Sequence, residues 1–285
     1  MRRSRFDLST QTERHWPAKI RLGFDYDGEQ TRMAQMAFQG PLRVQRPFYP
    51  EQEVCHVYLL HPPGGLVSGD DLRIDITCQP GSHVLLTTPS AGKIYRADSQ
   101  GGTQRQQVQI DVHSADCEWL PMETIVFDGA HGLLSTRINL YGESKFVGLD
   151  VFCLGRPKSL QPFVSGSVEQ RLAIYLHDQP ILLERQYLAA DDPLLRAMSG
   201  FNQHLVSGTL LMFGMADPEA AVTSLRLSSL FESATLSVTH RLGVIVVRYL
   251  GDCSQQAQQQ LRACWQQLRP QLMAKPACPP RIWNT

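Results

Sequence analysis

RIDITCQPGSHVLLTTP, residues 73–89, reads as an alternating strand, a Pro-Gly turn and a second, more apolar strand. The alternation of apolar and polar residues through RIDITC has the period of two that a half-buried strand requires. The same grammar recurs three times. QVQIDV (107–112) turns at HSAD into CEWLP, TRINL (136–140) turns at YGES into KFVGLDVFCLG, and LAIYL (172–176) turns at HDQP into ILLERQYL. The marker residues Ile74, Ile110, Ile138 and Ile174 are spaced 36, 28 and 36 apart, a loose internal repeat. Between residues 40 and 190 no ten-residue stripe of period 3.6 offers the helix that a βαβ crossover needs. The expectation is a mainly β fold, with an irregular β-superhelix or solenoid-like body over about residues 20–190. A β-sandwich of regular hairpins is the competing arrangement.

The character changes past residue 190, within what reads as a single domain over 1–285 whose C-terminal part, about 191–285, is mixed α/β. Asp217 and Pro218 suit an N-cap and first helical position, and predict a helix through EAAVTSLRLSSLFES (219–233). Two strands follow, ATLSVTH and GVIVVRYL. In SQQAQQQLRACWQQLRPQLM (254–273), Ala257, Leu261, Cys264 or Trp265, Leu268 and Leu272 recur at helical spacing opposite a glutamine face. Two α-helices are therefore expected in the C-terminal third. Pro270 is placed to kink or end the second. Its nearly uncharged polar face is a candidate partner surface, and Trp283 in the tail PACPPRIWNT must dock on something.

Composition narrows the function. Lys plus Arg and Asp plus Glu both number 27, so the balance points to neither nucleic acid nor an anionic membrane surface. Seven scattered cysteines, never in a C-x-x-C pair, favour reduced thiols and a cytoplasmic setting. The start MRRSRFDLSTQTERHW lacks the apolar run of a Sec or twin-arginine leader, and no stretch is apolar enough to cross a membrane as a helix.

Three catalytic readings can be weighed. In LHPPGGLVSGDD (60–71) the glycines lead to Asp70 and Asp71 where a phosphate loop would place lysine, so nucleotide binding is excluded there. Ser90 and Lys93 fit S-x-x-K, but the companion motifs of that chemistry are missing, and a structural turn is the plainer reading. Paired metal motifs are also lacking, the nearest cluster being Cys55, His56 and His61. More informative are carboxylates in apolar strands: Glu123 in WLPMETIVFD and Asp150 in KFVGLDVFCLG. A buried carboxylate needs a partner or a cation, because leaving it bare costs several kcal/mol. A hydrogen bond at a strand bend would suffice; a polar lining for water or a divalent cation is the functional alternative.

Six blocks in order, GPLRVQRPFYPE (40–51), LLHPPGGLVSGD (59–70), LLTTPSAGKIYR (85–96), EWLPMETIVFDGA (118–130), CLGRP (153–157) and PPRIWNT (279–285), resemble the UreD (UreH) urease accessory family. The resemblance covers essentially the whole chain. It implies a non-enzymatic maturation factor that binds apo-urease and, with a UreF-type protein and through it a UreG-type GTPase, assists nickel insertion. It also implies a mainly β superhelix-like body with two helices. Catalytic residues and tightly bound cofactors are not expected; nickel would bind transiently. Glu123, Asp150, Asp70, Asp71 and Asp128, with His61, are the expected lining of a nickel passage. Leu261, Trp265, Leu268 and Trp283 are the expected partner contacts. An all-β hydrolase using Ser90 and Lys93, and a passive adaptor that never touches metal, are the competing classes.

Overall fold

A computed structural model describes residues 15–156, 159–232 and 234–284. The basic start of the chain, Pro157 of the CLGRP block, Ser233 and the terminal Thr285 lie outside the described residues. The chain opens with β1 (Trp16–Tyr26), β2 (Thr31–Gln39), the short β3 (Arg43–Val44) and β4 (Cys55–Leu60). It then runs through β5 (Asp70–Cys78), β6 (His83–Thr87), β7 (Gly92–Ile94), β8 (Gln104–His113), β9 (Asp116–Trp119) and β10 (Thr124–Val126). β11 (Ala130–Tyr141), β12 (Lys145–Leu154), β13 (Gly166–Leu176) and β14 (Gln179–Ala189) follow.

Two sheets result. In the first the order is β14-β13-β11-β8-β5-β1-β2, and β1, β5, β8, β11 and β13 pair in parallel. In the second, β4, β6, β9 and β12 also pair in parallel. The three turns QPGS, HSAD and YGES therefore carry the chain from one sheet to the other. Only HDQP closes an antiparallel hairpin, between β13 and β14. From β4 and β5 onward the parallel partners are 28 to 36 residues apart, which is what a winding chain makes; β1 and β5, 54 apart, enclose the β2–β4 excursion. The corners stack as well: Gly81 N–H donates to the Ser114 carbonyl (2.9 Å), and Ser114 N–H donates to the Tyr141 carbonyl (2.8 Å). Gly81, Ser114 and Gly142 all hold positive φ (80°, 44° and 64°), the backbone sign each corner demands. Three of the marker isoleucines fall in register, Ile110 with Ile138 and Ile138 with Ile174. The fourth place belongs to Ile76, because Ile74 pairs with Val108.

The C-terminal part continues the second sheet. β15 (Val206–Phe213) pairs antiparallel with β12, β17 (Val244–Gly251) with β15, and β16 (Leu236–Arg241) with β17. Helix α1 (Pro218–Arg226) starts as expected, Asp217 accepting from Ala220 N–H at 2.9 Å. It ends earlier than predicted, at Arg226, and a separate 3-10 turn covers Ser229–Phe231. Helix α2 (Ser254–Met273) runs through Pro270, so that proline does not end it.

One apolar core fills the space between the sheets, and a second lies between the far face of the second sheet and the helices. β12 is buried on both faces: Phe146 and Phe152 face the other sheet, while Val147, Leu149 and Val151 face the helix layer. The stripe Ala257, Leu261, Cys264, Trp265, Leu268 of α2 is fully buried in that second core. Each large side chain there contributes about 1.5–3 kcal/mol of burial. Leu261, Trp265 and Leu268, expected as partner contacts, are buried in this chain and hold the helix to its own sheet. Trp283 is also used internally. Its Nε1–H donates to Thr87 Oγ1 (2.9 Å), its ring meets Trp265 edge-on (5.7 Å between centroids), and Arg262 lies over it (3.9 Å).

Candidate passage between the two sheets

Strand β12 places Asp150 two residues after Gly148 and two before Phe152, so its carboxylate points between the sheets. Gly148 contributes no side chain there, and the Phe146 ring lies against it, so close that a Cβ would come within 2.8 Å of the ring. A cavity of about 410 Å³ extends from the loop around His61 and Gly65, past Thr136, to Asp150. A second cavity, about 790 Å³, reaches from Asp150 to Arg185 and Phe201. Both are lined by the same four residues, Asp150, Gln170, Leu172 and Thr209, so the two spaces adjoin there.

At this neck Asp150 accepts a hydrogen bond from Gln170 Nε2. Arg248 is near enough to act on it electrostatically, but its guanidinium is held by Thr209 Oγ1 (2.6 Å) and Glu184. Burial pushes the Asp150 carboxyl up to about 6, against the pull of Arg248 and Gln170. At neutral pH it is mostly ionised, with Arg248 and Gln170 compensating its charge only in part. His61 lines the same cavity nearer its other end, and burial lowers its pKa, which favours the neutral, metal-ligating imidazole.

The other expected lining residues are elsewhere. Met122 and Thr124 line the cavity, but Glu123 between them faces α2, accepting from Gln258 Nε2 at 3.4 Å. Asp70 closes its own loop, its carboxylate accepting from Val67 N–H (2.8 Å), and Asp71 meets His15 at 3.4 Å on the surface. Asp128 is an anchor: it accepts from Val164 N–H (3.0 Å), Ser165 N–H (2.7 Å), Ser165 Oγ (2.9 Å) and Arg96. His61 and Asp150 are thus brought to one cavity, and Glu123, Asp70, Asp71 and Asp128 are not. Ser90 and Lys93 both line the first cavity; Lys93 Nζ reaches the Gly64 carbonyl (3.5 Å), and among the described residues no hydrogen bond joins it to Ser90. The loop itself is shaped by packing, since a Cβ on Gly65 would lie 2.5 Å from the Tyr95 ring.

The profile of the UreD urease accessory protein family matches residues 17–284. The chain belongs to the UreD family. It is 48% identical to the urease accessory protein UreD of Chromohalobacter salexigens, over 99% of this chain and 91% of that protein. The UreD of Marinobacter nauticus is 45% identical over 99% of this chain and 95% of its own length, and that of Klebsiella pneumoniae 40% over 95% and 96%. Among the described residues no helix of this UreD-family chain is long and apolar enough to cross a membrane.

A buried charge cluster escaped the sequence reading. Glu118 of β9, between Cys117 and Trp119, points to the helix layer, where Arg269 Nε (3.0 Å), Trp265 Nε1 (2.7 Å) and His83 Nε2 (2.8 Å) surround it. Burial alone would raise its pKa, but His83 and Arg269 overcome that and hold it at about 2. The signal was present: a carboxylate in an apolar strand, as at Glu123, and an arginine one position beyond the α2 stripe.

Proposed function

We propose that this UreD-family chain serves urease maturation by conducting nickel between its two sheets towards apo-urease, while a UreF-type protein, and through it a UreG-type GTPase, dock on its outside. What supports the reading is the pair of cavities meeting at Asp150. A conduit must bind its cargo strongly enough to admit it and weakly enough to release it. One under-compensated carboxylate with amide and hydroxyl neighbours meets that requirement, where a closed cysteine and histidine cage would retain the ion. The small polar groups Gln170, Thr209 and Thr136 can replace part of the ion's hydration shell along the way. The role is that of a cytoplasmic metallochaperone scaffold without catalytic residues of its own.

The test is nickel loading of urease in a reconstituted system with Asp150→Asn, complex formation being monitored in parallel. The reading expects an intact complex and at least a several-fold fall in nickel per urease active site. Normal loading by a folded Asp150→Asn protein would leave the passive adaptor as the better account.

A further inference from the structure

We propose that Glu51, His56 and Cys278 form a site for a divalent transition ion of the zinc, cobalt and nickel class, which fastens the C-terminal segment to the β body. One nitrogen of His56, a carboxylate oxygen of Glu51 and Sγ of Cys278 all lie within 4.8 Å of one another. Tetrahedral coordination at metal–ligand distances of about 2.0–2.3 Å sets such donors roughly 3–4 Å apart, so small side-chain rotations complete the set. A mixed oxygen, nitrogen and sulfur donor set suits this borderline class of ion and suits calcium or magnesium poorly.

Two further observations point the same way. The His56 ring is fully buried, its Nε2 lies 2.7 Å from Glu51 Oε1, and its Nδ1 has no hydrogen-bond partner. With the ring proton on Nδ1, the Nε2 lone pair faces the Glu51 carboxylate at that distance, an arrangement that a cation between them would satisfy. Charge is also thinly shared at Glu51. Arg269 divides itself between two carboxylates, contacting Glu51 Oε2 at 2.7 Å and Glu118 Oε1 at 2.9 Å, and Glu118 has His83 besides. A cation beside Glu51 would act on a carboxylate that holds only part of one guanidinium. The ion would take a free lone pair of Glu51 and displace the thiol proton of Cys278 to solvent.

The position gives the ion a role. Glu51 and His56 belong to the stretch entering and forming β4, whereas Cys278 follows α2 on the tail. That tail is already held nearby, the Pro276 carbonyl accepting from Arg269 Nη1 and Lys275 Nζ donating to Glu53 (2.7 Å). A shared ion would close the contact between residues more than 200 positions apart. None of the three residues lines the cavities that meet at Asp150, so the site is separate from the passage.

Full-length protein freed of metal by chelator would be titrated with Co²⁺ and read by the thiolate-to-cobalt charge-transfer band, with bound metal counted by dialysis. The proposal expects that band at one Co²⁺ per chain, displacement by Zn²⁺, and loss of the band with at least a tenfold fall in affinity in Cys278→Ser. Cys253→Ser and Asp150→Asn should keep the band, which separates this site from the passage. Zn²⁺ should also slow alkylation of Cys278 in the unaltered protein, a readout that requires no variant. The absence of a thiolate band, its persistence in Cys278→Ser, or unchanged alkylation of Cys278 would each overturn the proposal.

Discussion

Arg269 of α2 and Glu118 of β9, 151 positions apart, face each other with no exposure to solvent, Nε and Nη2 of the guanidinium lying 2.9–3.1 Å from the two carboxylate oxygens. The pair ties the helix layer to the second sheet where α2 meets β9. Breaking one half of a buried pair leaves the other charge bare, at about 3–5 kcal/mol. Glu118→Gln and Arg269→Met should each lower stability by about that amount in urea unfolding. A double-mutant cycle between them should return a coupling of at least about 1 kcal/mol. Additive effects would show that the two charges act independently.

Two interior carboxylates, Glu118 fully buried and Asp150 partly so, give opposite pH signatures. Glu118 is held at about 2, below its ordinary 4.5, so its contribution is complete above pH 4.5 and is lost as pH falls from 4.5 towards 2, roughly 3 kcal/mol in all. Asp150 is raised from 3.8 to about 6, so the folded state binds the extra proton and stability falls as pH rises through that window. Asp150→Asn should therefore be more stable than the parent at pH 8, by roughly 2 kcal/mol once water in the cavity is allowed for. The difference should vanish below pH 4. Thermal unfolding of both proteins across pH 3–8 measures it, and a constant difference would contradict the assignment.

Leu172 lines both cavities at their junction. Leu172→Trp should narrow that neck at a folding cost of about 1–3 kcal/mol, part of it absorbed by the open space. Nickel transfer to urease should fall several-fold while complex formation persists. Undiminished transfer in the folded variant would place the route elsewhere.

Glu123 and Asp128 make a control pair. Glu123 faces α2 and Asp128 fastens residues 164–165. Asp128→Ala should lower stability by about 1–3 kcal/mol, leaving the segment's amides without their acceptor. Glu123→Gln and Asp128→Ala should both load urease normally, per folded molecule. A loading defect in either, matching that of Asp150→Asn, would put the residue back in the conduit.

Docking of the tail can be read optically. Trp283→Ala removes the contact with Trp265, the stacking under Arg262 and the bond to Thr87. A loss of about 2–4 kcal/mol and a red-shifted emission are expected. An unchanged midpoint would show that the tail adds nothing to the fold.

Alternation, turn chemistry and spacing along the chain determined that the body is β, where its corners lie, and that Asp150 interrupts a strand buried on both faces. Those properties are local: period-two patterning and the backbone signs of Gly81 and Gly142 act within a few residues. The α2 stripe was legible for the same reason. Its occupant was not, because an apolar stripe looks alike whether its own sheet or another protein covers it, and here β12, β15 and β17 do. Tertiary structure alone decided which carboxylates share a space. Glu123 sits one residue from cavity-lining neighbours on either side, just before β10, and its carboxylate is turned to Gln258 of α2. Asp128 found its donors 36 and 37 positions away, Glu118 its arginine 151 away, and Glu51 and His56 their cysteine on the tail, each partnership made by folding across distances that no local pattern records.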